Sequence, residues 1–150
     1  MYTYVIIDNE PLIRRGTKKK LEPLSHLLTC CGEASDGREG LELVRQLKPD
    51  IVILDMQMPV MDGTELLPAL SEEFPSTALI VISGFQNFDY MKQAISSKVI
   101  DYILKPFSKD EIQQTVLKTI DSLKDKEAED HHLTSMVQEK EEAFYSLDLK

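Results

Sequence analysis

The chain is poor in cysteine. It has two, Cys30 and Cys31, and they are adjacent. A neighbouring pair cannot tie distant segments together, which excludes a secreted disulfide framework and leaves two small residues near a strand. Long hydrophobic runs are also missing: the longest, such as Ala78–Ile82, fall far below the roughly 18 residues that span a bilayer. The amino terminus, MYTYVIIDNE, lacks the basic segment and extended apolar stretch of a signal peptide. Basic charge is in deficit, with 17 Lys and Arg against 26 Asp and Glu and a net charge of −9. That is the wrong sign for nonspecific attraction to nucleic-acid phosphates or anionic lipid. A soluble cytoplasmic protein is expected, with no nucleic acid or membrane bound by this segment.

What is present suits a globular domain. Hydrophobic residues make up 42% of the 150 and charged residues 29%, which excludes wholesale disorder and permits a core without staples. Short β-branched apolar runs recur at Val5–Ile7, Ile51–Leu54, Leu79–Ile82 and Tyr102–Leu104. Unbroken apolarity over so few residues predicts strands covered on both faces, as in parallel sheets. Leu28–Ala34, interrupted by Gly32 and Glu33, predicts an edge strand.

Helical spacing fills the intervals. Leu12, Arg15, Leu21 and Leu24 predict a first helix with Lys18–Lys20 on its solvated face. Leu41, Val44 and Leu47 predict a second, opened by Asp36-Gly37 and closed before Pro49. Leu66, Leu67 and Leu70 predict a third, with Pro68 tolerated near its first turn. Met91, Ala94 and Ile95 mark a fourth, and Ile112, Val116, Ile120 and Leu123 a fifth. Five strand–helix repeats imply an α/β, doubly wound, five-stranded parallel sheet of flavodoxin-like (βα)5 type, strand order 2-1-3-4-5. Its functional crevice is expected at the carboxyl ends of the strands, beside the switch between strands 1 and 3.

Residues 1–123 make up this domain. Residues 124–150 open with KDKEAEDHH and read as a charged helical extension. Leu133, Val137, Phe144 and Leu147 share one heptad frame with Ile112, Val116 and Leu123, but Lys126, Asp130 and Lys140 interrupt the seam. The tail is either a signalling helix that pairs with a second copy or the start of a linker, and suggests a truncated chain. His131-His132 reads as a solvated pair, because adjacent helical residues diverge by about 100° and no third ligand is evident.

Asp8 and Asn9 follow the first strand and Asp55 follows the third, so the topology brings all three to one crevice. Converging oxygen ligands suit a hard divalent cation such as Mg²⁺. Ser83 ends the fourth strand and Lys105 follows the fifth, which carries a hydroxyl and an ammonium to the same rim. Together they form a site able to hold a phosphoryl group: Asp55 as nucleophile, the cation and Lys105 neutralising charge, and Ser83 donating a hydrogen bond.

The segments VIIDNEPLIRRG, SDGREGLELVRQLKPDIVILDMQMPVMDGTELL, VISGF and DYILKPF resemble the receiver domain of two-component response regulators, from Tyr2 to about Leu123. The resemblance implies that Asp55 accepts a phosphoryl group from the phosphohistidine of a sensor histidine kinase. It further implies that Gln57 offers its backbone carbonyl to Mg²⁺, that Lys105 pairs with the phosphoryl group and that the bond to Pro106 is cis. Ser83 and Tyr102 are similar to the switch pair of the family, with a plain core aromatic as the other reading of Tyr102. The face of helix 4, strand 5 and helix 5, continued by the C-terminal helix, is implied as a homodimer surface.

SGFQNFDYMKQAI resembles receivers joined to an AraC-type DNA-binding domain, which implies transcription regulation through an output domain outside this chain. Two positions depart from the family. Asn9 stands where a second acid is usual, so weaker Mg²⁺ binding and slower phosphorylation are expected. Lys98 stands where glycine is frequent, and a lysine there predicts ordinary backbone space.

Two other readings compete. One is a pseudo-receiver working as an interaction module, with Asn9 marking a relaxed metal site. The other is an enzyme on the same architecture, and it loses at particular positions: DNEPLI lacks the hydroxyl-rich phosphate loop of a flavodoxin, and Gln57 sits where an aspartyl phosphatase would want a second acid.

Overall fold

The computed structural model describes residues 1–148, with side chains as far as residue 128. The element order is β1 (Tyr2–Ile7), α1 (Pro11–Leu21), a 3₁₀ turn (Glu22–Leu24), β2 (Leu28–Ala34), α2 (Gly37–Leu47), β3 (Ile51–Leu54), α3 (Gly63–Glu73), β4 (Ala78–Ser83), α4 (Phe88–Ser96), β5 (Asp101–Leu104) and α5 (Lys109–Asp148). All strand pairs are parallel, in the order β2-β1-β3-β4-β5, as the alternation of strand and helix predicts. Every residue of β3 and β4 is buried, which is why these strands read as unbroken apolar runs. β2 lies at the sheet edge and its pairing with β1 slips at Tyr4/Val5, leaving Cys31 without a register partner.

Met1–Leu117 forms one compact unit and a second begins at Lys118. In the first, the sheet's inner residues Val5, Ile7, Val52, Leu54 and Val81 pack with Leu41, Val44, Leu66, Leu67 and Leu70 from α2 and α3. Ile112 and Val116 bury the start of α5. The heptad positions from Leu133 onward and His131-His132 lie outside the described side chains.

Side-chain caps open three of the helices, the start of α2 at Asp36-Gly37 as the sequence predicts. Asp36 accepts the Glu39 N–H at 2.8 Å, Asp62 the Thr64 N–H at 2.9 Å and Asn87 the Tyr90 N–H at 2.9 Å, so α2, α3 and α4 are each capped. At the start of α2, Gly37 donates to the Met61 carbonyl at 3.1 Å, and a Cβ there would meet that oxygen at 2.1 Å. Only glycine lets the loop after β3 close against α2.

The structure departs from the apolar stripes at three leucine or isoleucine positions. Leu12 is 76% exposed, Leu47 41% and Ile95 73%. The buried face of α1 is instead Thr17 and Leu21, and Leu24 belongs to the 3₁₀ turn. Pro68 is also deeper in α3 than expected: the helix begins at Gly63, so the proline lies in the second turn, where Thr64 has no N–H from it to accept.

Lys98 contradicts its expectation outright, with φ of 57°. The end of α4 explains this. Lys98 N–H donates to the Ile95 carbonyl at 3.1 Å and Val99 N–H to the Ala94 carbonyl at 3.2 Å, a Schellman closure that needs a left-handed residue between them. Lysine pays the Cβ penalty that glycine would avoid, so Lys98→Gly is expected to raise stability by about 1 kcal/mol. A higher urea midpoint with an unchanged slope checks it.

Candidate functional site

Backbone hydrogen bonds at the carboxyl ends of the strands set the site. Asp8 N–H donates to the Ala34 carbonyl at 3.0 Å, Asp55 N–H to Ile7 at 2.9 Å and Lys105 N–H to Ser83 at 2.9 Å. Each functional residue is therefore held by the last rung of its neighbour. The Lys105–Pro106 peptide is cis.

From this frame the Lys105 ammonium reaches three carboxylates: Asp8 Oδ2 at 2.9 Å, Asp55 Oδ2 at 3.0 Å and Glu10 Oε1 at 3.3 Å. Asp8 and Asp55 are 2% and 4% exposed, whereas the Glu10 side chain is 56% exposed. Burial pushes the Asp8 carboxyl above its ordinary value, against the opposing pull of Lys105 and the Glu10 N–H. Its two buried partners hold the Lys105 ammonium above its own ordinary value despite desolvation. Three carboxylates share one ammonium, so the cluster carries excess negative charge.

Carboxylate oxygens of Asp8, Glu10 and Asp55 all lie within 4.8 Å of one another. A cluster of hard oxygens at this spacing fits a divalent cation with oxygen preference, and the excess negative charge favours one. Beside it opens a cavity of about 240 Å³ lined by Asn9, Asp55, Gln57, Met58, Phe85 and Lys105, among others. Gln57 is exposed and donates its N–H to Asp55 Oδ1 at 3.3 Å. Asn9 is exposed at the same rim.

Ser83 lies below the rim instead of on it. Its side chain is fully buried and its hydroxyl oxygen accepts the Phe85 N–H at 3.2 Å. The Tyr102 hydroxyl donates to the Phe85 carbonyl. Desolvation raises the Tyr102 hydroxyl above its ordinary value, with Ser83 opposing that rise. Both side chains thus grip the backbone of one residue, Phe85, whose ring is half exposed beside the cavity.

Asp8, Asn9, Asp55, Gln57 and Lys105 are accordingly brought together, with Ser83 and Tyr102 behind them. Two residues have no role in the sequence reading, Glu10 and Phe85. A signal for Glu10 was present in the acid that directly follows Asn9. The part played by Phe85 is carried by its main chain and has no residue-type signature.

The doubly wound parallel sheet thus carries an acidic cluster and a lysine at the carboxyl edge of its strands, where folds of this class bind ligands. The chain belongs to the response regulator receiver domain family, whose model matches residues 4–117. It is 37% identical over 124 residues to the transcriptional regulatory protein YesN of Bacillus subtilis, covering 83% of this chain and 34% of that protein. It is 36% identical over 106 residues to the transcriptional regulatory protein HptR of Staphylococcus aureus, covering 71% of this chain and 41% of that protein. The match therefore spans well under half the length of these curated relatives. Among solved structures, the receiver domain of AraT, a response regulator from Geobacillus stearothermophilus, superposes with a TM-score of 0.78 at 32% identity, covering 84% of this chain and 98% of that one. Among the described residues no helix is long and apolar enough to cross a membrane.

Proposed function

We propose that the domain is a phosphorylation switch in which Asp55 accepts a phosphoryl group from the phosphohistidine of a sensor histidine kinase. The observation that carries this reading is the Lys105 ammonium set between Asp8 and Asp55 at 2.9 and 3.0 Å, at the mouth of a cavity that Asp55 lines. An Asp55 oxygen forms the new bond to phosphorus as the phosphorus–nitrogen bond breaks, and the departing imidazole takes a proton from solvent. Lys105 neutralises the charge spread over the phosphoryl oxygens, and hydrolysis by water returns Asp55 to its free state. Asp8, Asn9, Asp55 and the Gln57 carbonyl would hold Mg²⁺, which when bound supplies further neutralisation of those oxygens. Ser83 then turns from Phe85 toward the phosphoryl group and Tyr102 follows, so their shared hold on Phe85 couples the site to the surface of α4 and β5.

The names of YesN and HptR support a transcriptional output, exerted on DNA by a domain outside these residues. On this reading residues 1–123 are the receiver, 124–150 a helical linker, the setting is cytoplasmic, and α4, β5, α5 and the C-terminal helix form a homodimer face. Exposed Phe88 and Ile95 on α4 are consistent with that face. The protein acts on its own Asp55 and on no separate substrate.

Incubation with acetyl phosphate and Mg²⁺, followed by intact mass, tests the proposal: one added phosphoryl group is expected. Asn9 favours a second reading, an interaction module without phosphoryl transfer, and an unmodified mass would favour that module over the switch. Because Asn9 is neutral beside the cation, Asn9→Asp is expected to tighten Mg²⁺ binding roughly threefold, read by isothermal titration calorimetry.

A further inference from the structure

We infer that Glu10 supplies the carboxylate charge that Asn9 withholds from the cation site, so that residues 9 and 10 set cation affinity jointly. This rests on the reading of the cavity as a Mg²⁺ site. The placement of Glu10 is built into the main chain. Its N–H donates to Asp8 Oδ1 at 2.9 Å, an Asx turn that folds residue 10 back over residue 8. Pro11 follows, and the residue before a proline is confined to extended space, where Glu10 sits at φ −96° and ψ 108°. Its carbonyl accepts the N–H of Ile13 at 3.1 Å and of Arg14 at 3.2 Å, which anchors it to the first turn of α1. With the backbone fixed in this way, the side chain reaches Lys105 at 3.3 Å and the Asp8–Asp55 oxygens within 4.8 Å.

The charge count gives this placement its meaning. Asp8, Glu10 and Asp55 offset by Lys105 leave two negative charges, the complement of one divalent cation. Without Glu10 only one would remain, since Asn9 adds none. Half-exposed, Glu10 holds its charge at less desolvation cost than Asp8, which is buried. Its solvated side chain also leaves it free to adjust as a cation enters.

The same contact also fits a simpler role, in which Glu10 draws Lys105 away from Asp8 and Asp55. The two roles part company when a carboxylate is restored at residue 9. Restored charge replaces what Glu10 contributes as an anion, but leaves the position of Lys105 unmended.

The experiment is Mg²⁺ titration by calorimetry, at fixed ionic strength, of the full chain, Glu10→Gln, Asn9→Asp and the double variant, with urea midpoints as the folding control. Glu10→Gln is expected to weaken Mg²⁺ binding roughly tenfold in the native background and no more than about threefold beside Asn9→Asp. An equal loss in both backgrounds, or a change within about twofold in the native one, overturns the inference while leaving the cation site standing. If the unaltered chain takes up no Mg²⁺ at all, the cation-site reading falls with it.

Discussion

Asp55→Asn, incubated with acetyl phosphate and Mg²⁺, is expected to keep its unmodified mass while the native chain gains one phosphoryl group. The amide has nearly the shape of the carboxylate but not its charge, and it is a far poorer oxygen nucleophile. Asp8 is not a substitute. It is as buried as Asp55, with Oδ1 accepting the Glu10 N–H and Oδ2 held by Lys105, and it does not line the cavity through which a phosphodonor would enter. Substitution at residue 55 also removes one of two buried carboxylates that compete for a single ammonium, so the urea midpoint should not fall. Loss of labelling in a protein at least as stable as the native one would then report chemistry and not unfolding. Comparable labelling of the variant, traced to another residue by peptide mapping, would overturn the assignment of Asp55.

Much of the scaffold is legible in the sequence because burial on both faces leaves few ways to write a central strand. Ile51–Leu54 and Ala78–Ser83 are apolar almost throughout for that reason, and Gly32 with Glu33 marks β2 as the edge. The cluster follows from topology: residues just past β1, β3 and β5 must meet at one edge of a parallel sheet. What escapes is whatever depends on rotation or on main-chain bonds. Leu12 and Ile95 satisfy helical spacing, yet spacing does not say which side of the helix meets the sheet. Lys98 is strained because the Schellman closure after α4 demands it, and residue type alone argues the opposite. Glu10 comes to the site through an Asx turn followed by a proline, and Ser83 and Tyr102 act on the main chain of Phe85. At Lys98, Glu10 and Phe85 the decisive partners are main-chain N–H and C=O groups, which have no residue-type signature.

Lys105→Met is expected to destabilise the fold by about 3 kcal/mol near neutral pH with chelator present, because it leaves buried Asp8 and Asp55 facing each other without compensation. Methionine keeps the length and much of the apolar stem, so the loss isolates the ammonium. Mg²⁺ should recover most of the deficit. A cation that binds only the folded state stabilises in proportion to its occupancy, and removing the competing ammonium leaves the carboxylates free to receive it. The pH dependence carries a further sign. The folded-state value for Lys105 is raised above its ordinary 10.5, so its contribution is fully present below that pH and is lost as pH climbs through the higher folded value. The native chain should therefore lose this increment of stability in alkali, and Lys105→Met should lack that loss. Urea titrations in chelator, in Mg²⁺ and at alkaline pH measure all three effects. Equal midpoints for the two proteins in chelator would mean that the ammonium does not hold the acidic pair, and the electrostatic account of the cluster would have to be abandoned.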